Sequence, residues 1–121
     1  MKHNQLVMLY AMPRKTLIAR SILFHGFSDP SRLALVEALR GGERRATDLA
    51  RDAGLSQPNA SAHLACLREC GLVTHERRGR EVHYALVEGV EELLVLADRL
   101  VERAGGAIQA CPRYGRRRRA A

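Results

Sequence analysis

Apolar residues recur along this chain in two periods, and the change of period marks out its elements. From Pro13, a helix-start residue, Leu17, Ile18, Ile22, Leu23 and Phe27 follow at helical spacing. Ser28-Asp29-Pro30-Ser31 breaks that run and offers a new cap. Leu33, Leu35, Val36 and Leu39 then predict a second helix, ended by Gly41-Gly42. A short third helix is predicted from about Ala46 to Ala53, beginning near Thr47, with Leu49 and Ala53 inward and Gly54 closing it. Ser56 caps a fourth, whose first turn takes Pro58 because the missing N–H costs nothing there. It runs to Cys70, and Gly71 supplies the left-handed residue that stops it. At about 100° per residue, Ala60, Leu64, Leu67 and Gly71 share one narrow stripe, the face expected to meet a core.

The period then shortens. Leu72 to Arg77 and Glu81 to Leu86 alternate β-forming residues around Arg78-Gly79-Arg80, which predicts a hairpin with a basic tip. A final helix is expected from about Val90 to Ala104, with Leu93, Leu94, Leu96, Ala97, Leu100 and Val101 over a wide apolar arc and Gly105-Gly106 as its end. That arc is wider than one small core needs, so a self-complementary dimer surface is expected there. Residues 1–12 read as a short helix or an arm, and 105–121 as a tail holding Cys111 and the run Arg116 to Arg119. The domain proper is therefore 13–104.

Two helices joined by a short turn, the second polar at its start, form a helix-turn-helix. Gln57, Asn59, Ser61, Ala62 and His63 are small or hydrogen-bonding, as base edges in a major groove require. A hairpin directly after such a helix is a wing, and a basic tip suits phosphate or minor-groove contact; the plainer reading is a solvated basic turn. The expected fold is mainly α with a β-hairpin wing, a winged helix-turn-helix dimerising through its terminal helices. Candidate DNA-binding residues are Ser56, Gln57, Asn59, Ala60, Ser61, His63, Arg77, Arg78 and Arg80. The expected dimer interface holds Leu17, Ile18, Leu93, Leu96 and Leu100.

Charge sharpens the picture of partners. The 121 residues carry 20 Lys and Arg against 13 Asp and Glu, a formal net charge of +7, which favours a polyanion. Discounting the four-arginine run still leaves +3, so the basic character is not only a tail effect. No apolar run approaches the ~20 residues of a membrane span, and no secretion cleavage pattern follows the first residues. Three cysteines, an odd number, argue for reduced thiols and a cytoplasmic protein. No phosphate-cradling glycine loop and no nucleophile–base set is present, so no enzyme activity is expected.

The ordered set DPSRLALVEALR, LSQPNASAHLACLRECGLV and RRGREVHYAL resembles the ArsR/SmtB family of metal-responsive repressors, over roughly Pro13 to Ala104. Asp29-Pro30-Ser31-Arg32 is similar to that family's opening of the second helix. Ser61-Ala62-His63-Leu64 with Gly71-Leu72-Val73 resembles its recognition helix, and Arg78-Gly79-Arg80 with Tyr84 its wing. The resemblance implies a homodimer on double-stranded operator DNA that is released by a metal inducer, with no role for a membrane.

Of the family's metal sites, the cysteine pair near the third helix and the Asp/His site of the last helix have no counterpart here. Arg44 to Leu49 contains no cysteine, and Glu91 to Ala104 no histidine. Cys66 and Cys70 match the family's CmtR-type arrangement, known in cadmium and lead sensors. Cys111 matches its third ligand in kind, with a looser position. The implied inducer is a soft divalent metal, cadmium or lead first, with zinc left open.

The thiol chemistry is compatible with that implication. Side chains at i and i+4 of a helix stand about 6 Å apart at Cβ, near enough to share one ion. A sulfur-only set suits soft cations and excludes Mg²⁺ and Ca²⁺. Zn²⁺ would want a fourth ligand, from His63 or water. The arginines beside Cys111 would favour its thiolate. Rival readings stay open: cysteines as small core fillers, a disulfide switch through Cys111, or a winged helix that binds a protein and no metal. Against the first, Cys66 stands about 120° from the Leu64/Leu67 stripe. His3, His25, His75 and His83 show no ligand spacing, and His63 reads as a DNA-region residue rather than a ligand.

Overall fold

The computed structural model describes residues 13–114; the expected arm at 1–12 and the arginine run at 116–119 lie outside the described residues. Helices α1 (Arg14–Gly26), α2 (Pro30–Ala38), α3 (Ala46–Ala53) and α4 (Gln57–Glu69) come first, with a two-residue strand β1 (Arg44–Arg45) leading into α3. Strands β2 (Val73–Arg78) and β3 (Glu81–Leu86) follow, then α5 (Val90–Gln109). The described residues up to Val87 make one compact unit, and those from Glu88 onward a second.

Local chemistry explains the boundaries. The Asp29 carboxylate accepts a hydrogen bond from the Arg32 amide at 3.0 Å, with Pro30 in the first turn of α2. Ser56 Oγ accepts from the Asn59 amide at 3.2 Å and starts α4 in the same way. At the far end of α4 the chain reverses through Gly71 at φ 78°, a left-handed conformation that glycine adopts without a Cβ clash.

The first unit is built around one core. Leu35, Val36 and Leu39 of the α2 segment meet Leu49 and Ala50 of α3 and Ala60, Leu64 and Leu67 of α4, all at 2 % exposure or less. Leu72 and Val73 complete it. Burying a large aliphatic side chain is worth roughly 1.5–3 kcal/mol, so this cluster is what fixes the angle between α3 and α4. Ala60, Leu64 and Leu67 are the expected stripe. Gly71 is exposed and closes the helix without entering the core.

The sheet is antiparallel with strand order β1-β3-β2. Val73 pairs with Leu86 and Arg78 with Glu81, leaving Gly79 and Arg80 as the turn, with Gly79 at φ 65°. Strand β1 adds Arg44 opposite Tyr84 and Arg45 opposite His83. Two residues are too few to show an alternation, so β1 has no sequence signature.

Two further features differ from the reading of the sequence or extend it. Helix α5 does not stop at Gly105-Gly106. Both glycines stay out of the positive-φ region, Ala104 alone leaves helical geometry (φ −115°, ψ 17°), and the helix resumes to Gln109. The tail therefore begins after a kinked helix rather than at residue 105. Leu17, Ile18, Ile22 and Phe24 of α1 are 49–59 % exposed, and Leu96, Leu100 and Val101 of α5 are 49–61 % exposed; Leu93 is half-buried. Among the described residues no helix is long and apolar enough to cross a membrane.

Candidate nucleic-acid interface and thiol pair

The cap at Ser56 aims the start of α4 outward from the core. Gln57, Asn59, Ser61 and Ala62 are exposed there, a compact polar patch on the first two turns. The Asn59 amide is used by the cap while its side-chain amide is left to the outer face. Ala60 corrects an expectation: at 2 % exposure it packs in the core and cannot reach a groove. One residue between two outward neighbours on a helix turns about 100° away from each, which is why it faces inward. His63 is half-buried. It faces the start of α2, where Asp29 is held below the usual carboxylate range first by the Arg32 amide, against the opposing effect of burial, and then by the charges of Arg32 and His63.

At the wing the three arginines have different surroundings. Arg77 Nη1 makes one long hydrogen bond to the Gly79 carbonyl at 3.4 Å. Arg80 sits in the turn beside an open groove lined by Arg45, Ala46, Thr47, Glu81 and Val82. Arg78 instead forks onto Glu43, Nη1 to Oε1 at 2.5 Å and Nη2 to Oε2 at 2.9 Å, and also reaches Glu76 at 3.3 Å. These carboxylates make its guanidinium still harder to deprotonate. Arg45 bonds Glu81 at 2.6 Å and Asp48 at 3.0 Å, which ties β3 to the start of α3. Arg44 pairs with Asp52. His83, expected to be ordinary, has a ring nitrogen 3.4 Å from each of Glu43 and Glu81. His75 Nε2 accepts a hydrogen bond from Arg68 Nη1 at 2.7 Å, and its ring stacks on Tyr84 with centroids 5.7 Å apart.

Cys66 and Cys70 stand together on the half-buried flank of α4, away from the core stripe. Burial first, and the adjoining Cys66 thiol next, push the Cys70 thiol up, while the Arg32 charge works against them. Arg32 is a residue whose role the sequence did not reveal. Its guanidinium caps the carboxyl end of α1, Nε to the Gly26 carbonyl and Nη2 to the His25 carbonyl, both at 3.0 Å. Gly26 itself is buried against Leu72, the residue that follows the α4 stop. Cys111 belongs to the second unit, in the turn after α5, where its amide donates to the Ile108 carbonyl at 3.2 Å. Ala107, Ile108 and Tyr114 surround it. Among the described residues no three metal-ligating side chains are gathered in one place. What α4 does offer is two adjoining thiols on one flank, with the Glu69 carboxylate close enough to act on Cys70, and thiol sulfurs suit a soft ion.

Known proteins agree with this architecture. Residues 29–75 match the model of the bacterial regulatory protein arsR family. The chain is 36 % identical over 91 residues to a probable mercury resistance operon repressor of Streptomyces lividans, covering 74 % of this chain and 73 % of that one. It is 41 % identical over 81 residues to the transcriptional regulator CmtR of Mycobacterium tuberculosis, covering 67 % of each. A homodimeric winged helix-turn-helix DNA-binding domain from Mycobacterium bovis superposes with a TM-score of 0.67 at 25 % identity, over 81 % of this chain and 89 % of that one. The polar start of α4, the hairpin behind it and these relatives lead to one conclusion: the chain belongs to the ArsR family of bacterial regulatory proteins and is a DNA-binding transcriptional repressor, not an enzyme.

Proposed function

We propose that this repressor acts in the cytoplasm as a homodimer that leaves its operator when a soft divalent metal is bound, cadmium or lead first, with zinc left open. The observation that carries this reading is the pairing of Cys66 and Cys70 on α4, the same helix that presents Gln57, Asn59 and Ser61 outward. A thiol pair on the reading helix couples ligand and DNA through one rigid element. The mercury-resistance name of the Streptomyces relative supports a thiol-seeking metal as inducer.

In this reading two copies of α4 enter successive major grooves, with Gln57, Asn59 and Ser61 at base edges, Ser56 and His63 at their margin, and the wing on the flanking backbone. The exposed Leu17 and Ile18 of α1 and Leu96 and Leu100 of α5, with the half-buried Leu93, close the dimer. Cys66 and Cys70 would hold the ion and Cys111 would complete a three-sulfur set, drawing the segment after α5 toward α4. The bound ion supplies a crosslink between thiolates and no reaction. A coupling of about 1–3 kcal/mol between the two binding events is typical of such regulators.

The test is operator release titrated with Cd²⁺ under strong reductant, for wild type and three single variants. Cys66→Ser and Cys70→Ser should each keep DNA binding and lose release. Cys111→Ser should keep some metal binding with weakened release. Release of wild type only after oxidation would establish a disulfide switch instead, and full Cd²⁺ response in the Cys66 and Cys70 variants would remove the thiol pair from the mechanism.

A further inference from the structure

The wing arginines are unequal, and the geometry shows how. Neighbouring strand residues point to opposite faces of a sheet. Arg78 and Glu76 therefore share one face of β2, and Arg77 lies on the other. Register places His83 opposite Glu76, Glu81 opposite Arg78 and Arg45 opposite His83, all on the Arg78 face. Glu43, just before β1, reaches across β3 to the Arg78 fork, while His83 lies between them at 16 % side-chain exposure. Two carboxylates, Glu43 and Glu76, thus bracket Arg78, while Glu81 opposite it is taken up by Arg45. A phosphate approaching the Arg78 guanidinium would meet those two carboxylates first. Arg80, by contrast, has no hydrogen bond or ion pair among the described residues, and Arg77 has only the long bond to Gly79.

We propose that Arg78 is a positioning residue, clasping the tip of β2 through Glu43 to the segment that leads into α3, and that contact with the DNA backbone falls to Arg77 and Arg80. The fork fits this role because a planar guanidinium on a carboxylate fixes orientation as well as distance. Glu43 and Arg78 are 35 residues apart, so the clasp joins the wing to the helix-turn-helix rather than stiffening the hairpin alone. The division rests on the reading above that the wing lies on DNA.

Backbone contacts can be counted by salt. Each phosphate neutralised contributes about 0.9 to the slope of log Kobs against log salt concentration. The experiment measures fluorescence anisotropy of a labelled mixed-sequence duplex of about 40 base pairs from 50 to 200 mM KCl, a salt range in which phosphate contacts are readily counted. Circular dichroism confirms that each variant is folded. Arg80→Ala and Arg77→Ala should each flatten the slope by about one unit per wing on the duplex. Arg78→Ala should leave the slope at the wild-type value. Glu43→Gln should steepen it by about one unit per wing, because the released Arg78 becomes available to phosphate. Combining Glu43→Gln with Arg78→Ala should then restore the wild-type slope, which mere removal of a nearby acid would not do. A slope flattened by Arg78→Ala as much as by Arg80→Ala overturns the proposal, and so does a Glu43→Gln slope equal to wild type. A wild-type slope near zero would instead overturn the placement of the wing on DNA.

Discussion

Arg32 Nε donates to the carbonyl of Gly26 at 3.0 Å, joining the first turn of α2 to the last residue of α1. With the second bond to His25 and the amide bond to Asp29, this one side chain satisfies helix-end carbonyls while its backbone completes a cap. Loss of hydrogen bonds to a charged group costs about 1.5–3 kcal/mol where the partners are sheltered. Arg32→Ala should therefore lower unfolding free energy at the lower end of that range, since part of the site is solvated. Urea denaturation with an unchanged slope and a lower midpoint would bear this out. A variant as stable as wild type would show that water replaces the guanidinium without loss.

Asn59→Ala and Ser61→Ala remove side chains that are exposed on α4 and take no part in the core. Neither touches the Ser56 cap, which uses the Asn59 backbone amide. Operator affinity should fall by ~1–3 kcal/mol for Asn59→Ala, as for a lost bidentate base contact, and by less for Ser61→Ala, whose hydroxyl has one donor, with melting temperature unchanged in both. Anisotropy and thermal melts on the same samples separate the two effects. Operator binding equal to wild type in both variants would mean that α4 does not read bases through these residues.

Leu100 is 61 % exposed within α5, alongside Leu96 and Val101. A charge placed in a self-complementary apolar face appears twice in the dimer, so Leu100→Asp should yield a monomer with little affinity for a palindromic site. Sedimentation at micromolar concentration reads this directly. A wild-type protein that is itself monomeric there would contradict the expected interface.

The raised Cys70 thiol would give the proposed metal response a pH dependence. The folded protein favours the protonated thiol, so its contribution to stability is complete below the thiol's unfolded pKa and is lost as pH rises through the folded value. Metal ligation runs the other way, because thiolate is the ligand and each thiol must release its proton. Apparent Cd²⁺ affinity should rise about tenfold per pH unit for each proton released, up to the thiol range. Competition titrations from pH 6 to 8, roughly spanning the neutral region well below an ordinary thiol pKa, would detect it. A flat profile would mean that Cys70 stays protonated and outside the site.

Local rules determined most of the fold. Ser56, Pro58 and Gly71 bound α4 by capping, ring geometry and left-handed backbone, all of which act within a few residues. The stripe Ala60, Leu64 and Leu67 follows from helical period alone, and so does the half-buried flank where Cys66 and Cys70 meet. The hairpin was legible because alternation and a glycine turn are likewise local. Ala60 could be counted among the outward residues only while its neighbours' chemistry outweighed its place on the stripe, and the core decided the matter. What the sequence did not contain was pairing across distance. Arg78 looks like Arg77 and Arg80 until Glu43, 35 residues away, is brought to it by the β1–β3 ladder. Arg32 looks like any surface arginine until the end of α1 arrives beside it. The two-residue strand β1 exists only because β3 offers it partners. Composition and period fix which face of an element is buried; which opposite charges then meet on the outside is set by how those buried faces stack.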